Sequence, residues 1–171
     1  MIGNDTHGYR RRLPHLSRDG KTYFVTFLSK NRRVLEPIAR DIVLRSCLHD
    51  HDVTCWVHCA VVMPDHVHVL LSPFEGNALT TLIAGIKSAS SHLVNRALHR
   101  KGPLWQSESF DHILRSEESA FAKASYILEN PVRKGLVESG LDWPWYWNAY
   151  GRSECGERTS PHRSEAISPT S

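Results

Sequence analysis

The chain has 171 residues, of which 40% are hydrophobic and 23% are charged, a composition typical of a globular protein. No apolar run is long enough to span a membrane and no signal peptide is recognisable, which excludes a membrane protein and predicts a cytoplasmic location. The four cysteines are predicted to be reduced thiols, and a formal net charge of +3 says little about partners.

Residues 1–20 are predicted to form a basic arm, because Arg10, Arg11 and Arg12 are followed by further basic residues as far as Arg33. Positive charge concentrated in this way suits contact with phosphate groups. A solvated run of charge is the alternative interpretation. The distribution of charge, unlike its total, is therefore compatible with a nucleic-acid partner.

The residues after the arm predict two strands and a helix before the first tight turn. A first strand is predicted at residues 22–29, which are rich in β-forming residues. Pro37 is typical of the first position of a helix, and this helix is predicted to run to about residue 50. A second strand is predicted at residues 54–62. Pro64 and Asp65 then form a tight turn into a third strand at residues 66–72.

Apolar residues at helical spacing predict a second long helix at residues 79–99, followed by a short fourth strand at residues 110–114. The order strand, helix, strand, strand, helix, strand is that of the ferredoxin-like fold. We therefore predict an α+β protein, a βαββαβ antiparallel sheet with both helices on one face. The other face would be open to a ligand or to a further element.

A further helix is predicted from Ser116, a residue type favoured at helix N-caps, to about Asn130, where Pro131 disfavours helical geometry. At about 100° per residue, Tyr126 projects away from the apolar stripe of this helix, on the same side as Asn130 and Lys123. Residues 151–171 contain almost nothing apolar and are predicted to be a disordered tail. Residues 21–150 are then the single folded domain.

His66 and His68 are separated by one residue on an apolar strand, so alternation directs both imidazoles to one face and Val67 and Val69 to the other. Two convergent ring nitrogens can bind one metal ion. The triplet alone is weak, because a chain with 11 histidines would contain one by chance roughly a quarter of the time.

Tyr126 is the candidate nucleophile, because a tyrosine kept for packing would face the apolar stripe. Phenolate attack on a phosphodiester gives a covalent phosphotyrosine that keeps the bond energy for later rejoining. A phenol is protonated near neutral pH, so attack needs a metal or a base, and an ion held by His66, His68 and the amide oxygen of Asn130 would polarise the phosphate. A surface tyrosine without a catalytic role is the alternative.

Five blocks of sequence occur in order: YRRR at 9–12, YFVT at 23–26, VVMPDHVH at 61–68, GPLWQ at 102–106 and YILENPVRKGLV at 126–137. Together they resemble the REP-associated tyrosine transposases, domesticated relatives of the single-tyrosine HUH transposases of insertion sequences. The resemblance runs from about residue 9 to residue 143. None of the blocks would be specific alone, whereas their ordered combination is highly specific.

The resemblance implies that His66 and His68 are the HUH histidines, that Tyr126 is the nucleophile on a helix docked beside them, and that Asn130, where insertion-sequence relatives tend to carry Gln, completes the metal site. The implied ion is Mg²⁺ or Mn²⁺. The implied substrate is single-stranded DNA beside a REP-like palindromic hairpin, nicked to a 5′-phosphotyrosine and a free 3′-OH and then rejoined. The predicted DNA contacts are Arg10, Arg11, Arg12, Lys87 and Lys123.

Two positions depart from the family pattern. His112 stands where Arg is expected in Phe-x-Asp-Arg, which puts one phosphate contact in doubt. The aromatic run Trp143-Pro144-Trp145-Tyr146-Trp147 replaces small polar residues, which leaves open whether Trp145 and Trp147 stack on bases or cover the edge of the core.

Two other functions remain open from the sequence. One is a hairpin-binding regulator that keeps the fold but does not cleave DNA. The other is a zinc-dependent hydrolase that uses His66, His68 and a cysteine. Cys55, His58 and Cys59 also resemble part of a zinc site, but regular alternation would direct His58 away from both cysteines and favours buried thiols. The sequence does not decide between a monomer and a homodimer.

Overall fold

The fold is built around a five-stranded sheet in which all neighbouring strands are antiparallel. The computed structural model describes residues 21–114 and 120–150, so the predicted arm, the predicted tail and Ser116 lie outside the described residues. The strands are β1 (Tyr23–Ser29), β2 (Cys55–Val62), β3 (His66–Pro73), β4 (Trp105–Ile113) and β5 (Tyr146–Asn148). Their order across the sheet is β4-β1-β3-β2-β5.

Four α-helices accompany the sheet in the described ranges: α1 (Pro37–Leu48), α2 (Leu79–Ala97), α3 (Ala120–Leu128) and the single turn α4 (Asn130–Arg133). Strands β1 to β4 with α1 and α2 confirm the predicted ferredoxin-like order. None of the helices in these ranges is long and apolar enough to cross a bilayer.

The hydrophobic core has two layers, one on each face of the sheet. On one face α1 and α2 are packed over the strands, and the buried residues that meet there include Val25, Phe27, Val67, Val69, Ala39, Val43, Ile83 and Ile86. On the other face α3 is packed over β2 and β3, and its buried Ala124, Ile127 and Leu128 belong to one cluster with Cys59, Val61 and Leu70. Because His66 and His68 alternate with Val67 and Val69, they lie on this second face, which we call the site face.

Strand β4 begins at Trp105, whereas the sequence predicted a strand only from residue 110. This edge strand pairs with β1 alone and is largely exposed beyond Trp105, so Gln106 to Ser109 carry none of the apolar alternation that marks a buried strand. Strand β5 was not predicted either, because its three residues lie within an aromatic run and pair only with the edge of β2.

The aromatic run is a packing element. Trp143 is buried and its Nε1 donates to the carbonyl of Val62 at 3.0 Å. Trp145 donates to Asp41 at 2.8 Å, and Trp147 lies with its ring centroid 4.9 Å from that of His51. Both side chains are partly buried against the helix-covered core. Of the two interpretations, base stacking or covering the edge of the core, the structure supports the second.

The prediction that Cys55 and Cys59 share a face is wrong. The pairing of β2 with β3 shifts register between Val57 and Cys59, and an extra residue there reverses the alternation. Cys55 is buried in the helix-covered core, and Cys59 is buried on the site face. Among the described residues, Cys47, Cys55 and Cys59 are buried and form no disulfide, as predicted for reduced thiols.

Candidate active site

The two imidazoles of β3 converge. Nε2 of His66 lies 3.2 Å from Nε2 of His68, and the ring centroids are 4.7 Å apart. This convergence confirms the placement inferred from alternation. The separation is short enough for both nitrogens to bind one ion, which is the arrangement that a two-histidine metal site requires.

The Nδ1 atom of each ring has a partner of its own. Nδ1 of His68 lies 2.8 Å from the hydroxyl of Thr26, the residue directly opposite it on β1. Nδ1 of His66 lies 2.6 Å from Oδ1 of Asp65. Because a carboxylate only accepts, Nδ1 of His66 donates this hydrogen bond, and in the neutral ring Nε2 is then the nitrogen with the lone pair. Such partners orient metal-binding histidines and fix their tautomers.

Asp65 is also held from the β1–α1 loop. Its Oδ2 lies 2.9 Å from Nε of Arg32, whose side chain is half exposed. Asn31 and Arg32 have φ values of 57° and 54°, a left-handed conformation that costs non-glycine residues about 1 kcal/mol or more. The loop is tied to the same turn through the backbone, since Ser29 N donates to the carbonyl of Asp65 at 2.9 Å. The loop and the turn therefore position His66 together.

The pair fits a divalent ion. Burial, followed by the charge of the nearby His66, lowers the pKa of His68 to about 3, so this ring is neutral near pH 7 and one of its two nitrogens has a lone pair that can bind a cation. Within residues 21–114 and 120–150, no three His, Cys, Asp or Glu side chains form a metal-binding group. An ion held by His66 and His68 would thus keep positions for oxygen ligands, which suits Mg²⁺ or Mn²⁺. The described residues supply no cysteine to complete a zinc site there.

Tyr126 lies on α3 away from the packing stripe, as the helical angles predicted, and 49% of it is exposed. Two cations lie near its ring: the guanidinium of Arg133 is 4.1 Å from the ring centroid and Nζ of Lys123 is 5.5 Å from it. Lys123 is also 5.3 Å from the ring of Phe24, which in turn lies 5.3 Å from the ring of His68. A short chain of contacts therefore connects the tyrosine to the imidazole pair.

Asn130 lies at the end of α3, where its Nδ2 donates to the carbonyls of Ile127 at 3.0 Å and Tyr126 at 3.5 Å. These hydrogen bonds use the amide nitrogen and not Oδ1, the atom that would bind a metal. The side chain thus caps α3 and fixes the backbone of Tyr126. Its role as the third metal ligand stays a prediction.

Of the predicted DNA contacts that the structure describes, Lys87 lies away from the imidazole pair. Lys87 lies between α2 and β4 on the helix-covered side of the sheet, where Nζ donates to the carbonyl of Ser107 at 3.0 Å and to the hydroxyl of Ser109 at 3.2 Å. Arg10, Arg11 and Arg12 lie outside the described residues. Lys123 is the predicted contact that the structure brings close to Tyr126.

Sequence reasoning did not identify Thr26, Phe24 or Arg32 as neighbours of the site. Thr26 and Phe24 fall in the YFVT block, and alternation places both on one face of β1, but only the strand register places Thr26 opposite His68. Arg32 reaches Asp65 through an irregular loop that carries no periodic signal. The YFVT block was therefore the available signal for the two strand residues.

Comparisons with known proteins identify the family and its relatives. A family model described as "Transposase IS200 like" matches residues 20–129. A Haemophilus influenzae protein assigned provisionally as a REP-associated tyrosine transposase is 29% identical over 94 residues, covering 49% of this chain and 53% of the relative, so the chain spans about half the length of that relative. A REP-associated tyrosine transposase of Escherichia coli K12 is 27% identical over 133 residues, covering 74% of this chain and 75% of the relative.

A solved structure shows the same fold. It is that of a REP-associated tyrosine transposase bound to a REP hairpin, and it superimposes with a TM-score of 0.58 at 24% identity. The superposition covers 74% of this chain and 76% of that chain. At this identity the likeness establishes the arrangement of strands and helices.

Proposed function

This chain belongs to the family of IS200-like transposases, and on that basis we propose that it is a metal-dependent transesterase that nicks and rejoins single-stranded DNA through Tyr126. The observation that carries the proposal is the 3.2 Å approach of Nε2 of His66 to Nε2 of His68, on the sheet face against which α3 is packed. That helix presents a half-exposed tyrosine connected to the pair through Lys123 and Phe24.

His66 and His68 would hold Mg²⁺ or Mn²⁺, with Asn130 as the proposed third ligand. A divalent ion bound there supplies positive charge that offsets the charge developing on the scissile phosphate. Thr26 and Asp65 keep both rings oriented toward the shared position. Lys123 and Arg133 place further positive charge beside the tyrosine, where the phosphate has to approach.

The cleavage step exchanges one phosphodiester for another. The phenolic oxygen of Tyr126 forms a bond to phosphorus and loses its proton to solvent, while the bond from phosphorus to the 3′-oxygen breaks and that oxygen gains a proton. The products are a 5′-phosphotyrosine and a free 3′-OH. Attack of a 3′-OH on the phosphotyrosine reverses the step and rejoins a strand without a nucleotide cofactor.

The proposed substrate is single-stranded DNA beside a palindromic hairpin of the REP type. Support comes from the two relatives, which are described as REP-associated tyrosine transposases, and from the solved relative bound to a REP hairpin. Arg10, Arg11 and Arg12 would contact the hairpin backbone, and Lys123 would contact the single-stranded segment. Lys87 was predicted as a DNA contact too, and its place behind the sheet puts it outside the proposed catalytic centre.

A denaturing gel tests the chemistry and its polarity together. Hairpin oligonucleotides with single-stranded flanks, taken from inverted repeats near the gene, are labelled at either end and incubated with Mg²⁺ or Mn²⁺. The 3′-labelled fragment is expected to migrate with the protein and the 5′-labelled fragment to migrate free. Tyr126→Phe should abolish the adduct while hairpin binding stays within about twofold, because only one hydroxyl is removed.

Tyr23→Phe is the matched control, since Tyr23 lies on β1 toward the helix-covered core and also loses only a hydroxyl. It should cleave like the unmodified protein. His66→Ala and His68→Ala should abolish cleavage, so that added Mg²⁺ or Mn²⁺ no longer has an effect. An adduct that persists in Tyr126→Phe would show that another residue is the nucleophile.

A hairpin-binding regulator without cleavage is the second candidate. The observation in its favour is that, within residues 21–114 and 120–150, no third His, Cys, Asp or Glu side chain joins His66 and His68 in a metal-binding group. A regulator would bind hairpin DNA with a steep dependence on salt and form no adduct with either metal. The same gel therefore separates the two functions.

A further inference from the structure

Among the large hydrophobic side chains that are exposed in the described ranges, two are aromatic: Tyr126 and Phe110. Tyr126 is the proposed nucleophile. Phe110 is 62% exposed and lies on the edge strand β4. An exposed aromatic ring on an edge strand is available for contact with another molecule.

The strand register places Phe110 on the site face. Phe110 is paired with Thr26 on β1, and Thr26 is paired with His68 on β3, so the three side chains form one row across the sheet. With strands spaced about 4.8 Å apart, the backbones of Phe110 and His68 are about 10 Å apart. The distance from a phosphate held at His68 to the base of a flanking nucleotide is of this order.

Among the described residues, the neighbours of Phe110 on the site face leave its ring largely exposed. Helix α3 packs chiefly against β2 and β3, the other half of the sheet. Next to Phe110 on the same face are Thr26, which is partly buried, and the exposed Glu108 and His112. An apolar ring surrounded by polar groups, on a surface that single-stranded DNA has to cross, is the arrangement on which unpaired bases stack.

We propose that Phe110 is a stacking platform for an unpaired base that flanks the scissile phosphate. The inference rests on the proposed function, because it requires single-stranded DNA at the imidazole pair. Stacking on Phe110 would hold the strand so that the phosphate lies over His66 and His68. The ring would contribute affinity with little dependence on which base is present, since every base has an aromatic face.

The test is a cycle that combines Phe110→Ala with abasic sites. Hairpin oligonucleotides carrying one abasic position at a time along the single-stranded flank are titrated in EDTA, so that binding is measured without cleavage. One abasic position is expected to weaken binding to the unmodified protein about 10-fold, and Phe110→Ala is expected to weaken binding of the intact oligonucleotide equally. The two changes together should cost no more than either alone.

Ile113→Ala is the matched control, because Ile113 is also exposed on β4 but is paired with Tyr23 on the opposite face. It should bind like the unmodified protein, and Phe110→Trp should retain binding and coupling. Losses that simply add at every position would overturn the stacking proposal. So would a change from dimer to monomer by light scattering in Phe110→Ala, if no coupling to an abasic site accompanied it.

The outcomes separate this proposal from the proposed function. Coupling between Phe110 and one abasic position without any covalent adduct would support the platform and overturn the transesterase. Cleavage through Tyr126 without coupling would overturn the platform alone. Absence of binding to all hairpin oligonucleotides would overturn both.

Discussion

Oδ1 of Asp65 lies 2.6 Å from Nδ1 of His66, and this contact determines which nitrogen of the ring faces His68. With Nδ1 protonated, Nε2 of His66 is an available metal ligand. Arg32 holds the other carboxylate oxygen at 2.9 Å. The carboxylate of Asp65 thus orients the imidazole of His66, the next residue in the chain.

Replacement of Asp65 by alanine should weaken Mn²⁺ binding about 10- to 100-fold, because the His66 ring loses its orientation and its preferred tautomer. The free Mn²⁺ signal in electron paramagnetic resonance titrations measures the affinity directly. Asp50→Ala is the control, since Asp50 makes the same kind of contact with its neighbour His49 at 2.9 Å on an exposed surface. Equal affinities of the Asp65→Ala variant and the unmodified protein would contradict this role.

Gly140 supports the helix that carries Tyr126. A Cβ added at Gly140 would collide with the backbone carbonyl oxygen of Leu128 and approach Leu128 Cγ at 2.8 Å, so the end of α3 would have to shift. Gly140→Ala should lower the free energy of unfolding by about 1–3 kcal/mol and slow adduct formation more than it weakens Mn²⁺ binding. Urea unfolding and the rate of adduct formation measure the two effects.

Gly85→Ala is the matched control for Gly140→Ala. Gly85 is exposed on α2, with open space around the added methyl group, so alanine should leave adduct formation unchanged and raise stability by up to about 1 kcal/mol. A Gly140→Ala protein as stable and as active as Gly85→Ala would show that α3 adjusts without cost.

The sequence predicts the parts of the site that follow a period. Alternation was enough to place His66 and His68 together, and helical angles were enough to place Tyr126 outside the packing stripe. Thr26 opposite His68 could not be predicted, because the pairing of β1 with β3 depends on register across the sheet, which local sequence does not encode. The bulge that separates Cys55 from Cys59 was missed for a related reason, since one extra residue reverses alternation without a sequence signal.

The core strands and helices were predicted well because they are buried on one side and apolar residues recur there at regular spacing. The edges were not. Gln106 to Ser109 and the strand β5 pair on one side only, so their residue types reflect solvent and local packing more than strand formation. Loops behave similarly: the left-handed Arg32 reaches Asp65 through a conformation that no pattern predicts.

His58 gives a prediction for stability against pH. Its Nδ1 lies 2.6 Å from the Tyr150 hydroxyl and its Nε2 lies 2.8 Å from the Ser72 hydroxyl. Burial, followed by the charge of His51, lowers the pKa of His58 to about 4. In the unfolded chain the pKa is about 6.5, so the contribution of neutral His58 to stability is fully present above about pH 6.5 and is lost as the pH falls toward 4.

His58→Asn should therefore be less stable than the unmodified protein at about pH 7.5, and the difference should shrink by up to about 3 kcal/mol by about pH 4.5. Urea unfolding in EDTA at a series of pH values measures the difference without bound metal. His92→Asn, at an exposed position on α2, controls for loss of an imidazole in general. A difference that stays constant over this range would mean that folded His58 titrates as it does in the unfolded chain.

Lys123 should act on DNA through its charge. Its Nζ lies between the rings of Phe24 and Tyr126, in the line of contacts that leads from the tyrosine to His68. Lys123→Gln should weaken binding of single-stranded hairpin oligonucleotides and reduce the slope of log K against log salt by about 0.7, the value for one phosphate contact on a single strand. Arg45→Gln removes the same charge from α1, on the opposite side of the sheet, and should leave the slope unchanged. If both variants alter the slope equally, the effect comes from the net charge of the protein, and Lys123 makes no specific contact with the strand.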